Sequence, residues 1–376
     1  MPPTTFLCCR FTRCLVRVLS VLSACLALGV TARAGELPPL PALNIDLHET
    51  SVSGISSGGF MAVQFQIAHA SIVKGAGVVA AGPYYCAEGS AFTATTVCTC
   101  TLDPGHKACN VPAADSDRAR TLADTTRRFA AEGRIDDPTP VARQRVLSFS
   151  GGADHTVPAP VVAQLGRYYA ALGMPAANLR AVTDPAAGHA MPTTDFGGAC
   201  GVSEEPYINR CGLDAAKEIL GWIYGSLAAP AHKLSAKPRR FDQESYVPHG
   251  SGFLWTTGLD SSAWAYIPAE CARGARCRLH IALHGCRQGQ SYVPLHPVDG
   301  ATYYGTTFVE HAGYNRWADT NRIVVLYPQA TSVPFRNPNG CWDWWGYTGA
   351  HYAEREGVQI ATLRAMAERL SAGFKP

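Results

Sequence analysis

"SVSGISSGGFMA", residues 51–62, holds the box Gly54-Ile55-Ser56-Ser57-Gly58 between a β-prone run and an amphipathic helical run. A G-x-S-x-G box in that setting predicts a nucleophile elbow, a strained strand-to-helix turn that pushes a serine out of the backbone for attack. Alone the box is a weak sign, because a chain with 36 glycines produces one by chance. Its address is also unusual. The strand that carries the oxyanion-binding loop normally precedes such an elbow, and almost no sequence does so here.

Around the box the sequence alternates strand and helix. Ile45–Val52 reads as a strand, Gly58–Ala70 as a helix and Val73–Ala81 as a buried strand, the rhythm of a parallel sheet covered on both faces. Residues 83–118 interrupt it with four cysteines among Gly, Thr, Pro and Asp, and read as a Cys-rich, disulfide-tied insertion. The rhythm resumes with a helix near 119–132, a strand Arg145–Ser150, a helix Pro158–Leu172, a strand Leu179–Thr183 and a helix Ala215–Leu227. Residues 229–251, rich in Pro, Lys, Arg and Gly, read as a linker. Beyond it come strands Ser262–Ile267, Arg278–Leu283 and Arg322–Tyr327, a helix around Tyr314–Thr320 and a last helix Val358–Ser371. The later strands make a poor sheet by themselves. Added to the first half they give about eight, so residues 35–376 are expected to form one domain around one mostly parallel sheet.

Arg10, Arg13 and Arg17 precede an apolar run from Val18 to Val30, and Ala32-Arg33-Ala34 fits an A-x-A cleavage site. Residues 1–34 therefore read as a secretory signal peptide. A buried N-terminal helix would want caps and a polar face, which this stretch lacks. A lipoprotein box at Leu22-Ser-Ala-Cys25 is the weaker option, because the run after it stays apolar. Removing the leader takes four of the 32 Lys and Arg and none of the 29 Asp and Glu, leaving 28 basic residues against 29 acidic ones. That balance gives no electrostatic reason to expect nucleic acid or an anionic membrane as a partner. Four of the 14 cysteines (Cys8, Cys9, Cys14, Cys25) leave with the leader, and an even ten in an exported chain imply disulfides. Cys98 and Cys100 sit too close to pair with each other. Cys200 with Cys211 and Cys271 with Cys277 are the simplest local pairs, and the remaining connectivity stays open. No C-x-x-C pair or H-E-x-x-H frames a metal, so neither metal nor cofactor is expected.

A serine hydroxyl needs a base, an orienting carboxylate and donors for the oxyanion. "VLSFSGGADHTVP" supplies a strand, a Gly-Gly turn and Asp154 ahead of a helix; "NLRAVTDPAAGHAMP" supplies His189 in the loop after the next strand. Each has a plainer reading, since a loop Asp after Gly-Gly is commonly a turn former and one His among 12 is commonly a satisfied polar residue. Their joint appearance at strand ends, in the order Ser56, Asp154, His189, is the α/β-hydrolase order. His155 and Asp184 are the rivals. His155 follows Asp154 too closely to receive its hydrogen bond easily, and Asp184 is better placed to shape the turn that carries His189.

The oxyanion strand turns up downstream. "RLHIALHGCRQ", residues 278–288, runs as a buried strand into His284-Gly285-Cys286, an H-G-x turn of the kind that directs a backbone N–H at the oxyanion. The piece normally first in the chain thus stands near its end, and the expected fold is a circularly permuted α/β-hydrolase in which residues 229–251 join the former termini. Ser57 N–H, just after the nucleophile, is the expected second donor beside Cys286.

Through Gly54-Ile-Ser-Ser-Gly-Gly59, Gly152-Ala-Asp154, Gly188-His189, Leu283-His-Gly-Cys-Arg-Gln288 and Asn339-Gly-Cys-Trp-Asp-Trp344, nearly all of residues 35–376 resemble extracellular poly(3-hydroxybutyrate) depolymerases with the permuted, fungal-type catalytic domain. The resemblance implies a triad of Ser56, Asp154 and His189, an oxyanion hole from the Ser57 and Cys286 amides, and Trp342 as a substrate contact. It also implies a Cys286–Cys341 disulfide. Many bacterial members add a linker and a polymer-binding domain for which this chain has no room, so amorphous polymer or soluble oligomers are the expected substrates.

Trp342, Trp344, Trp345, Tyr347 and Tyr352 cluster among Asp343, Gly346 and Gly349. Aromatics in a run are more often core than site, but a loop so rich in glycine favours an exposed apolar platform for polyester, with Trp342 and Trp344 as substrate-binding residues. The expected protein is a secreted serine esterase without a cofactor. Its rivals are a feruloyl or acetylxylan esterase, whose relatives share an H-G-C-type turn, and a non-catalytic polymer-binding protein that kept the fold.

Overall fold

The computed structural model describes residues 37–102, 109–113, 116–296 and 300–376. The signal peptide expected over 1–34, the cleavage site after Ala34 and the lipoprotein box at Cys25 lie outside the described residues.

Strand β1 (Ile45–Ile55) carries the elbow at its end, and its last six residues, Thr50 to Ile55, are all buried. Burial on both faces marks a central strand of a parallel sheet, yet half of this stretch is polar. The serines are satisfied across the sheet: Ser51 Oγ and Ser53 Oγ meet the two ring nitrogens of His280 at 2.7 and 2.8 Å, and Ser53 Oγ also meets Tyr314 Oη at 2.6 Å. A buried polar cluster that closes on itself avoids the penalty of unpaired groups. Helix α1 (Ser57–Ala68) follows, with every one of its 12 residues buried. The expected amphipathic helix is instead enclosed all round, and its polar side chains find partners inside: Gln64 Nε2 donates to Asp343 O at 2.9 Å and Gln66 Nε2 to Gln144 Oε1 at 2.7 Å.

The chain then runs through β2 (Val73–Val79), α2 (Arg118–Ala131), β3 (Arg145–Gly151), α3 (Ala159–Ala171) and β4 (Leu179–Asp184). Three short strands, β5 (Met191–Thr193), β6 (Gly198–Ala199) and β7 (Ile208–Arg210), form a small separate sheet. Next come α4 (Ala215–Tyr224), β8 (Arg239–Asp242), β9 (Ser262–Tyr266), β10 (Cys277–Leu283), α5 (Tyr314–Thr320), β11 (Ile323–Tyr327) and α6 (Val358–Ser371). The main sheet has eight strands in the order β4-β3-β2-β1-β10-β11-β9-β8. It is parallel from β4 to β11 and antiparallel at β9 and β8. This is the mostly parallel eight-stranded α/β sheet expected, with β1 and β10, more than two hundred residues apart in sequence, side by side at its centre.

Two elements differ from the sequence reading. Residues 229–251 contain β8, which pairs with β9 and forms the sheet edge; the run Arg239-Arg240-Phe241-Asp242 hid it, because an edge strand with charged residues does not alternate clearly. The small β5–β7 sheet comes from strands of two or three residues, too short to show a period. Helix α4 packs closely over β2: a Cβ on Gly77 would lie 2.5 Å from Ile219 Cγ2, so a side chain there would push the helix off the sheet.

Five disulfides tie the loops: Cys86–Cys98, Cys100–Cys109, Cys200–Cys211, Cys271–Cys277 and Cys286–Cys341. The first two lie wholly within the 83–118 insertion and tie it to itself, and the third links the chain just after β6 to the chain just after β7.

Three interior histidines set an acid limit on this packing. Burial lowers His69 and His284 to about 4 and His280 to about 3, all below the ordinary 6.5. The unfolded chain takes up these protons as pH falls below about 6.5, whereas the folded chain resists until near pH 4 or below, so stability is full above that window and lost within it. The melting temperature is therefore expected to fall steadily from pH 6.5 to 4. A flat profile across that range would place the three rings in a more polar setting than the one described.

Candidate active site

Ser56 occupies the turn between β1 and α1 at φ 55° and ψ −124°, a strained conformation for a residue with a side chain. The strain is enforced by crowding. A Cβ on Gly54 would lie 2.2 Å from Gly58 O, and one on Gly58 would lie 2.3 Å from His284 O. Both glycines of the box are thus needed for the chain to turn here against β10.

Asp154 and His189 come from the ends of β3 and β4. The two loops are laced together, with Gly152 N–H donating to Asp184 O at 2.8 Å and Ala153 N–H to Ala187 O at 2.9 Å. Asp154 Oδ2 meets His189 Nδ1 at 2.8 Å, and its other oxygen accepts from the Thr156 and Val157 amides at 2.9 and 2.8 Å. Both side chains are nearly buried, at 4 % and 6 % exposure. The rivals sit elsewhere: Asp184 accepts the Ala186 amide at 2.9 Å and shapes the turn, while His155 is exposed. His189 and Ser56 line one cavity of about 650 Å³. Ser56 Oγ forms no hydrogen bond with the His189 ring, a looseness common in catalytic pairs before substrate arrives. A second hollow of about 620 Å³ lies at the opposite ends of β2 and β3, beside Lys74 and Arg145, and contains none of these groups.

The turn after β10 forms the facing wall. His284 Nε2 accepts the Ala330 amide at 3.0 Å, which leaves the proton on Nδ1 to donate to Gly285 O at 2.7 Å. With its carbonyl drawn toward that ring, the trans 285–286 peptide turns its N–H the opposite way. Gln288 Oε1 accepts Gly285 N–H at 2.6 Å, and the Cys286–Cys341 bridge ties this turn to the loop bearing Trp342. Ser57 N–H opens α1 and so has no acceptor within the helix.

The aromatic cluster departs from expectation. Trp342 is fully buried and Trp344 is 6 % exposed, so neither offers an exposed platform. Trp342 packs against the His284 ring, centroids 5.5 Å apart, and Trp344 stacks on Phe60 of α1 at 4.0 Å. The physical reason is Asp343, which the sequence suggested was a loop residue. It is buried, and its carboxylate accepts four backbone amides from Trp345 to Thr348, curling the loop inward over α1. Burial pushes its carboxyl above the usual range, against the pull of those amides. The ring that reaches the cavity is Trp345. Arg287, Arg336 and Tyr207 also line it, and the sequence reading singled out none of them.

A strained serine at a strand-to-helix turn, on a mostly parallel sheet and facing an Asp-supported imidazole, defines a serine hydrolase of the α/β-hydrolase class. No protein-family model matches the chain. It is 41% identical over 338 residues to a poly(3-hydroxybutyrate) depolymerase of Delftia acidovorans, covering 89% of this chain and 62% of that protein. It is 35% identical to a polyhydroxybutyrate depolymerase of Talaromyces funiculosus, covering 93% of its length. The crystal structure of the depolymerase from Penicillium funiculosum is similar with a TM-score of 0.74 at 32% identity, covering 90% of this chain and all of that one. A serine-to-alanine depolymerase variant complexed with an R3HB trimer gives a TM-score of 0.75 at the same identity. The chain belongs to the poly(3-hydroxybutyrate) depolymerase family.

Proposed function

We propose that the chain hydrolyses ester bonds of poly(3-hydroxybutyrate) or its oligomers through an acyl-enzyme. The observation that carries this reading is the elbow serine sharing one cavity with the His189–Asp154 pair and with the His284-Gly285-Cys286 turn. His189 takes the proton of Ser56 as the oxygen attacks the ester carbonyl, and Asp154 holds the imidazolium that forms. The Ser57 and Cys286 amides receive the oxyanion. The C–O bond then breaks, His189 protonates the departing alkoxide, and water releases the acyl fragment as a carboxylic acid. Trp345 contacts the chain on the cavity wall, in the role the sequence suggested for Trp342 and Trp344.

Residues 35–376 act as a permuted domain, with 229–251 joining the former termini. Support comes from the present ends: Leu43 N–H, just ahead of β1, donates to Leu370 O of α6 at 2.8 Å, so the two ends meet, as a cut in a formerly continuous chain requires. Five disulfides support an exported enzyme working in an oxidising compartment, outside the cell or in a periplasm.

The test is product release from amorphous polyester and R3HB trimer beside feruloylated and acetylated xylan. Soluble 3-hydroxybutyrate from the first pair and nothing from the second is expected; the reverse would make the chain a cell-wall esterase. The Cys286–Cys341 bridge clamps the oxyanion turn without taking part in chemistry. Replacing both cysteines by alanine is expected to lower stability by about 2 to 4 kcal/mol while keeping most of kcat at 20 °C or so. Loss of activity with the melting temperature intact would assign the bridge a direct catalytic part.

A further inference from the structure

The cavity that holds Ser56 and His189 is lined by two arginines, Arg287 and Arg336, and, among the described residues, by no Asp or Glu. A neutral polyester interior offers a cation nothing to pair with. Its ends do, because every hydroxybutyrate oligomer terminates in one carboxylate. We infer that Arg287 binds this terminal carboxylate, so that short oligomers are cut from their acid end. The inference rests on the ester-hydrolase reading of the same cavity and adds the group that fixes substrate direction.

Arg287 is presented to the cavity at some cost. It sits at φ 63°, a left-handed conformation unfavourable for a residue with a side chain, and the Arg287 N–H bond to Asn339 O at 2.7 Å helps hold it there. It directly follows Cys286, whose bridge to Cys341 fixes the turn. Its side chain has neutral partners only: Nε donates to Asn339 Oδ1 at 3.2 Å and Nη1 to Tyr207 Oη at 3.5 Å. Tyr207 is itself at φ 53°. Among the described residues Nη2 has no acceptor, and no carboxylate pairs with the group. A half-buried guanidinium with no carboxylate in contact is a poor resting arrangement, which a planar carboxylate meeting its fork would relieve. Arg336 is exposed and already donates to Tyr347 O, so Arg287 is the better placed of the two.

The chemistry gives this contact a side of the reaction. When Ser56 Oγ bonds to the carbonyl carbon and the ester C–O bond breaks, the fragment that departs as an alcohol is the one still carrying the acid end. Arg287 thus holds the leaving fragment, whereas the acyl fragment, with its free hydroxyl end, stays on Ser56.

The experiment compares steady-state hydrolysis of R3HB trimer as the free acid and as its methyl ester. In the unaltered enzyme KM is expected to be about tenfold or more lower for the acid, as for a charge-assisted contact, and salt should narrow the gap. Arg287→Gln should close the acid-to-ester gap, and Arg287→Lys, which keeps charge but not the fork, should restore part of it. Equal KM for the two trimers in the unaltered enzyme overturns the inference without needing any variant to fold. A gap that persists in folded Arg287→Gln overturns it as well and leaves Arg287 a brace between Tyr207 and Asn339. If neither trimer is cleaved, the hydrolase reading fails and takes this inference with it.

Discussion

Ser56→Ala is expected to fold and to lose ester hydrolysis by on the order of 10⁵-fold or more, because removing a triad nucleophile leaves only what binding and oxyanion donors supply. The change deletes one oxygen that has no hydrogen bond to the His189 ring, so packing around the turn is unaffected. The strain at φ 55° is unaffected too, since alanine bears the same Cβ. Ser56→Gly separates the two roles of this residue. It removes the hydroxyl and also the Cβ that makes the conformation costly, so it should be as inactive as the alanine variant but more stable than it, by about 1 kcal/mol. Rates on R3HB trimer, labelling by a fluorophosphonate and melting temperatures of both variants make the check. Substantial hydrolysis by folded Ser56→Ala would move the nucleophile to another serine and dissolve the proposed triad.

The triad candidates were legible because each is announced by local backbone chemistry. Gly54 and Gly58, and in the acid and base loops Gly152 and Gly188, are each demanded by an approach of 2.5 Å or less, so the sequence had to write glycine within two residues of each candidate. The central strands were legible for a similar reason: buried parallel strands are runs of small and β-branched residues. The displaced H-G-C turn was readable once the chain order of the fold was known. What the sequence hid was set by long-range partners. Nothing local in Arg239–Asp242 says that it will pair with β9. Nothing local in Asp343 says that its carboxylate will be taken out of water by the amides of Trp345 to Thr348, and that single burial decides the fate of the tryptophans on either side. His284 was readable as part of a motif, but its ring, held between Ala330 N–H and Gly285 O, needed the partner loop to show how it aims the neighbouring peptide.

Trp342→Ala is expected to cost about 3 to 5 kcal/mol of stability, the usual range for excavating a buried tryptophan. The ring has no exposure, so the loss is a cavity beside the His284 ring, under the turn that carries the Cys286 amide. Nε1 has no hydrogen-bond partner among the described residues, so no polar contact is forfeited along with the packing. Activity on polyester film and on a small p-nitrophenyl ester should therefore fall together, because a shifted oxyanion turn harms every substrate that Ser56 attacks. Trp345→Ala should behave differently. Its ring is half-buried on the cavity wall, braced by Trp344 at 5.7 Å, and a contact remote from the reacting bond weakens long substrates selectively. Polyester and trimer rates are expected to drop severalfold in Trp345→Ala while the p-nitrophenyl ester holds and the melting temperature moves little. Measuring both rates and the melting temperature for both variants decides the matter: a selective polyester loss in stable Trp342→Ala would return the substrate contact to that ring and show that the loop opens far enough to expose it.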